Sequence, residues 1–399
     1  MEPPSPATPA ARRIPFRPLG GLFEQDDVAA VTRILEDVAS GEGSFFPLPE
    51  EKEFEQRLAR LVGASHAVAV NSCGTALDLC MMALGIGPED EVIVPPLTFV
   101  CTATCAAARG ARVVFADIDP NTLCLDPEAV RLKISPRTKA IVPVHFAGLS
   151  CDIDGFARIT KEFGIPVIYD AAHAVGAMRN GVPIGNAGLA SCFSFQSNKN
   201  MTTLGEGGAV TTDDPSFAEI VRQKKTFGFV YGSPLRNVTV GFNYRLTKIQ
   251  MACGLTQLDK IDRIVELRLQ RFLRMQELLA DVGELLLPPG ISRGHACHLY
   301  ILRLNTSIVP FSREDLRRHL KERFAVETVV HYPAVYSWEA FEKLDHDRSG
   351  CPNAEAACSQ VFSLPIFPST SWEDLDYLRS ALKQSISELS SRSVSGGTK

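Results

Sequence analysis

The 399-residue chain has no excess of basic residues: 41 Lys and Arg stand against 46 Asp and Glu, a formal net charge of -5. Nucleic acids and anionic membrane surfaces both select a concentrated positive surface, so neither is an expected partner. No apolar run approaches the roughly 18 residues that a membrane span needs. The opening "MEPPSPATPAARRIPF" carries Arg12 and Arg13 but no apolar core, so a secretory signal is not expected there. No GxGxxG follows an expected strand and there is no Walker lysine, so the common dinucleotide and ATP fingerprints are missing. The eleven cysteines contain no CxxC pair. Cys101 and Cys105 form a lone CxxxC, and His295 with His298 wants a third ligand, so no metal site is expected. Cys80, Cys192 and Cys253 lie in apolar segments and read as reduced, buried small side chains of a cytoplasmic protein.

What is there is a long chain, 45% hydrophobic, whose length implies more than one core. From about residue 55 two patterns alternate. "FEQRLARLVGA", "GTALDLCMMALGI", "CTATCAAARG" and "DIDGFARITKEFG" read as helices; "HAVAV", "EVIVPP", "RVVFADID", "KAIVPVHFAG" and "IPVIYDAAHA" read as strands. Such alternation predicts an α/β fold with a mostly parallel sheet covered on both faces, and ligand at the carboxyl ends of its strands. Leu258, Ile261, Ile264, Val265, Leu269 and Phe272 recur at steps of three and four, one face of a long helix. That helix leads into a smaller α+β unit in which "HLYILRL" and "AVETVVHYP" read as strands and "SREDLRRHLKERF" as a helix. The expected division is a disordered tail over 1–13, a large domain over 14–255, a smaller domain over 256–390 and a second tail over 391–399.

Three local features carry chemistry. "VAVNSCGTALDL" runs from a strand into a helix near Gly74, leaving the N–H groups of Cys73, Gly74 and Thr75 free for an anion such as phosphate. An ordinary helix cap at Ser72 or Asn71 explains the same residues. Asp170 ends a buried apolar strand, where a carboxylate needs a cation or serves as a structural cap. Lys199, 29 residues later, stands in the polar turn of "CFSFQSNKNMTTLGEGGAVTT" before Gly205, Gly207 and Gly208. A surface-loop lysine looks the same in isolation. Together the three match pyridoxal 5'-phosphate, whose phosphate, aldehyde and ring nitrogen ask for an anion site, a lysine and a carboxylate. Phe99, in "LTFVCTA", offers an aromatic plate for the ring or plain core packing.

At this point the chain resembles the DegT–StrS sugar aminotransferases of the aspartate aminotransferase fold type. The resemblance runs through "IPFRP", "EFEQRLARLVGASHAVAVNSCGTAL", "VIVPPLTFVCTA", "YDAAHAVGA", "SFQSNKNMTTLGEGGAV", "GFNYRLTKIQMA", "HLYILRL", "VHYPAVY" and "LPIFPS", in order and over nearly the whole chain. It implies a three-layer large domain that binds pyridoxal 5'-phosphate. It implies that Lys199 forms the Schiff base and shuttles the proton, that Asp170 pairs with the ring nitrogen, and that His173 approaches the phenolic oxygen. Gly74, Thr75 and Ser194 would hold the phosphate, and Phe99 would stack on the ring. Asn243 would reach the phosphate of the neighbouring subunit's cofactor, which makes the enzyme a homodimer with shared sites. The implied reaction moves an amino group from an amino acid, glutamate, to a nucleotide-linked keto sugar. A cyclitol or a carbohydrate without a nucleotide is the alternative acceptor, and a non-catalytic regulatory protein of the same fold is the alternative class. Lys199 speaks against the family's dehydrase branch, where His takes that place. Three departures, Gln196 with Ser197, the extra Leu204, and "SGEGSFFPLPEEKEF", fall where the sugar would bind and bear on the acceptor rather than the cofactor.

Overall fold

The apolar runs HAVAV, EVIV, RVVF, IYD and ASCFS form strands buried along almost their whole length, the mark of a sheet covered on both faces. A computed structural model describes residues 12–46, 49–230, 232, 234–289 and 294–395. One four-stranded sheet has the order His66–Val70, Gly208–Thr212, Ala190–Ser194, Ile168–Asp170. A second has the order His346–Asp347, Arg112–Phe115, Glu91–Val94, Thr138–Ile141. Parallel bridges Ile141–Val167 and Val144–Asp170 join the two. Among the described strands of this joined sheet, only Gly208–Thr212 runs against the rest. That reversal brings Gly208 to the edge where Asp170 and Ser194 end and where the helix Cys73–Ala83 begins. Ligands of open α/β sheets bind at this edge.

The long helix runs from Lys248 to Leu279, capped by Thr247, whose side chain accepts from the Gln250 N–H. Its Met251, Leu258 and Ile261 pack into the core beside the sheet. Its Phe272, Met275 and Leu279 pack with Leu302, Leu320 and Leu378 of the C-terminal unit. One continuous helix therefore serves two cores, and a boundary at 255/256 falls inside it. In the C-terminal unit Leu285–Leu286, Tyr300–Leu304 and Val361–Leu364 pair antiparallel, with the helix Arg313–Phe324 packed against Trp372–Ser395.

Three sequence expectations change. "AVETVVHYP" forms no ladder; Val326 bridges to Ile14 and Val329 to Ser363 as isolated pairs. The expected N-terminal tail lies outside the described residues up to Ala11, but Arg12 pairs with Asp374 at 2.8 Å and Arg13 with Glu327 at 2.9 Å. The helix Trp372–Ser395 continues into the expected C-terminal tail, because Leu378, Leu382, Ile386 and Leu389 keep an apolar stripe against the second core; residues 396–399 lie outside the described residues.

Several histidines are buried inside this scaffold. Burial lowers His145 to about 3, His295 to about 4 and His331 to about 3, with the Arg179 charge adding to the first and Lys199 and Arg317 to the last. Each is neutral in the fold and titrates near 6.5 once unfolded. The folded state thus loses stability as pH falls below about 6.5, on the order of 2 kcal/mol per histidine by pH 5. Thermal melts should show a midpoint several degrees lower at pH 5 than at pH 7.5. An unchanged midpoint would mean these rings are not held neutral.

Candidate active site

Asp170 is 2% exposed at the end of its strand. Its Oδ2 accepts from the Thr102 hydroxyl at 2.7 Å, and its Oδ1 accepts from the Ala172 N–H at 3.0 Å. Burial pushes the carboxyl up from its ordinary value, while Thr102, the Ala172 N–H and the Lys199 charge pull it back. A carboxylate held this way still has capacity for a cation, since Thr102, the Ala172 N–H and the Cys73 thiol at 3.9 Å fill three of its roughly four lone-pair sites.

Lys199 stands on the turn that links strand Ala190–Ser194 to strand Gly208–Thr212. The turn is tied by Phe195 N–H to Gly207 O at 2.8 Å, Ser197 N–H to Gly205 O at 3.0 Å and Lys199 N–H to Gln196 O at 2.9 Å. Leu204 in this loop takes φ 59° and Gly205 φ 110°, both at positive φ. The N-terminal arm braces the turn through Gly20 N–H to Ser197 O at 2.9 Å. The half-buried Lys199 ammonium has no hydrogen bond or ion pair among the described residues. Burial lowers its pKa, against the pull of the Asp170 carboxylate. A lysine with a lowered pKa supplies more of the neutral amine that attacks a carbonyl.

The helix start beside them offers an anion two N–H groups rather than the three expected. Ser72 caps the helix by accepting from the Thr75 N–H at 3.1 Å, and the Thr75 hydroxyl donates to Asn71 Oδ1 at 2.7 Å. The N–H groups of Cys73 and Gly74 have no acceptor among the described residues. A Cβ on Gly208 would lie 2.6 Å from the Cys73 nitrogen, so the strand can pass this close only with glycine. Ser194 pairs with Gly208 across the ladder, and its hydroxyl accepts from the Gln196 N–H at 3.4 Å.

His173 is buried, with Nδ1 accepting from the Ala147 N–H at 3.3 Å and Nε2 3.1 Å from the Tyr332 hydroxyl. Phe99 is 54% exposed and meets the Tyr332 ring edge-on at 5.8 Å. Asn243 does not join this group within one chain: it bridges to Thr226, and its Oδ1 accepts from Arg245 Nε at 2.8 Å. It lines an open concavity of about 580 Å³ with Phe45, Phe46 and Arg245. Of the segment "SGEGSFFPLPEEKEF" there, Pro47 and Leu48 lie outside the described residues. A larger concavity of about 770 Å³ lies away from Lys199, bordered by Glu51, Glu55, Arg222 and Lys225. Sequence reading left Thr102, Tyr332 and His298 without roles. His298 lies 4.6 Å ring to ring from His173 and 3.3 Å from Asn200 Oδ1. The signals for Thr102 and Tyr332 were their places in "LTFVCTA" and "VHYPAVY", but neither string says which partner the residue meets.

The uncommitted lysine, the buried carboxylate and the cradle at the helix start fit the aldehyde, ring nitrogen and phosphate of pyridoxal phosphate. Comparison with known proteins agrees. A family model described as the DegT/DnrJ/EryC1/StrS aminotransferase family matches residues 24–383. The chain is 37% identical over 374 residues to the spore coat polysaccharide biosynthesis protein SpsC of Bacillus subtilis (strain 168), covering 91% of this chain and 95% of that protein. It superposes on the structure of S. venezuelae DesV in complex with a ketimine intermediate with a TM-score of 0.83 at 33% identity, covering 90% of this chain and 94% of that one. It superposes on the PMP form of the putative sugar aminotransferase Spr1654 from Streptococcus pneumoniae with a TM-score of 0.86 at 26% identity, covering 94% of this chain and 100% of that one. The PLP form of the same protein gives a TM-score of 0.85.

Proposed function

Because the chain belongs to the DegT/DnrJ/EryC1/StrS aminotransferase family and is a pyridoxal-phosphate-dependent aminotransferase, we propose that it transfers an amino group from glutamate to a nucleotide-linked keto sugar, as a cytoplasmic homodimer. The observation that carries the site is the half-buried Lys199 amine, without a partner among the described residues, beside a buried Asp170 at the strand ends. Bound pyridoxal phosphate supplies a carbonyl that takes up the amino group and a protonated ring that withdraws electrons from the donor's α-carbon.

The chain's residues do the rest. Asp170, fixed by Thr102 and the Ala172 N–H, holds the proton on the ring nitrogen. The Cys73 and Gly74 N–H groups and the Ser194 hydroxyl bind the phosphate, with Thr75 organising the turn through its cap. Phe99 covers one face of the ring, and His173 serves its phenolic oxygen. Lys199 would carry the proton between the donor's α-carbon and the cofactor's carbonyl carbon; such positioned proton transfer contributes about 10²–10⁴-fold in rate. The relative named for spore coat polysaccharide biosynthesis supports a carbohydrate acceptor. No helix among the described residues is long and apolar enough to cross a membrane. The test has two halves. Glutamate should convert the parent enzyme to its amino form, and a panel of nucleotide keto sugars, free keto sugars and keto cyclitols should then show which acceptor restores the aldehyde spectrum. Restoration only by a free sugar or a cyclitol sinks the nucleotide-linked reading; no conversion by glutamate sinks the donor.

The dimer reading draws on the segment around Asn243. Leu235, Val238, Val240 and Phe242 are exposed apolar side chains on the adjoining hairpin, 55%, 46%, 75% and 44% accessible. A patch of this kind marks a partner surface, and a two-fold dimer is the commonest closed assembly. If Asn243 completes the partner's site, Asn243→Ala should weaken cofactor retention. Mixing it with Lys199→Ala subunits should then restore about a quarter of the parent activity, because half the dimers are hybrids with one intact site each. Sedimentation and activity of the 1:1 mixture check this; exchanging subunits that recover nothing would refute a shared site.

A further inference from the structure

The His173–Tyr332 pair carries a hydrogen that the imidazole itself cannot offer. A backbone N–H only donates, so the Ala147 N–H on His173 Nδ1 leaves that nitrogen unprotonated in the neutral ring and puts the hydrogen on Nε2. Ala147 is held for this contact. It adopts φ 55°, and its carbonyl accepts from the His298 N–H at 3.0 Å. Burial keeps His173 neutral by driving its pKa well below the ordinary value, and the Lys199 charge and His331 act in the same direction. Nε2–H therefore donates to the Tyr332 oxygen at 3.1 Å. Both ring nitrogens are then engaged, and the Tyr332 hydroxyl hydrogen has no acceptor among the described residues.

The titratable groups facing the pair are Lys199, Asp170, Cys101, His298 and His331. None of them is hydrogen-bonded to either His173 nitrogen or to the Tyr332 hydroxyl. Tyr332 also lies edge-on to Phe99 and at 24° to the His173 ring, so its phenol is fixed by packing on two sides. A hydroxyl that accepts one hydrogen bond becomes a stronger donor of the next. We infer that Tyr332, with His173 holding its oxygen from behind, is the donor to the anionic oxygen on the cofactor ring. This rests on the site proposed above and reassigns one of its contacts.

A donor on that oxygen stabilises the anion and weakens its hold on the proton of the lysine linkage; removing the donor raises the proton affinity of the linkage. In the holoenzyme, Tyr332→Phe should move the pH midpoint of the visible cofactor band upward by about one unit, with the donor KM changed less than about threefold and kcat lower. His173→Ala, which leaves the phenol in place, should shift the midpoint less than Tyr332→Phe does. A Tyr332→Phe midpoint equal to or below the parent's, or a larger upward shift in His173→Ala, overturns the assignment. The parent is titrated first. A parent band insensitive to pH between about 5 and 10 overturns the proposed site and this contact with it, whereas a titrating parent band matched by Tyr332→Phe overturns only the contact.

Discussion

Replacing Lys199 by alanine should abolish the visible absorption of the lysine-bound cofactor and lower turnover on the order of 10⁴-fold or more. The same change should leave the protein folded. The Lys199 side chain makes no hydrogen bond or ion pair among the described residues, and the turn is held by main-chain bonds from Phe195, Ser197 and Lys199. Removing a charge that is disfavoured by burial deletes a destabilising contribution along with the side-chain contacts. The unfolding midpoint should therefore stay within about 2 °C of the parent. Absorption spectra, single-turnover assays with glutamate and a thermal melt check the three parts separately. A variant that turns over at the parent rate would show that Lys199 does not carry the cofactor.

Asp170→Asn should keep the cofactor and lose most of the activity, on the order of 10³-fold in kcat. The amide can reproduce the present hydrogen bonds. Its oxygen can accept from the Ala172 N–H, and its NH₂ can face Thr102, whose hydroxyl lies 2.8 Å from that of Thr98 and can donate there instead. What the amide lacks is charge. Each pKa unit of lost preference for the protonated ring nitrogen costs about 1.4 kcal/mol, and a neutral ring nitrogen withdraws electrons poorly. Loss of the buried charge should not harm the fold, because burial already works against the ionised form. The discriminating measurement is the rate of the first half-reaction at full cofactor occupancy. A rate within a few-fold of the parent would make Asp170 a structural cap, the alternative its strand-end position always allowed.

Which parts of this arrangement could be read before the fold was known follows from how far each interaction reaches along the chain. Strand and helix periods repeat every two or three to four residues, so the α/β alternation, the buried strand ending at Asp170 and the lysine in its glycine-rich turn were legible locally. Cofactor chemistry then joined those local signals, since one molecule asks for a lysine, a carboxylate and an anion site together. The sequence by itself thus determined the fold class, and the family resemblance named the candidate residues. Tertiary structure decided which atoms remain available. The Thr102–Asp170 bond spans 68 residues and the His173–Tyr332 bond spans 159. Neither separation has any periodic signature, because each contact forms only when crossover connections bring strand ends to one edge of the sheet. The same holds for the anion cradle. Whether Thr75 or Cys73 keeps a free N–H depends on the rotamer of the Ser72 cap and on a glycine 136 positions further on, Gly208, lying against the helix start. Local patterning specifies which elements form, and close packing between distant elements specifies which polar groups are already satisfied and which still await a ligand.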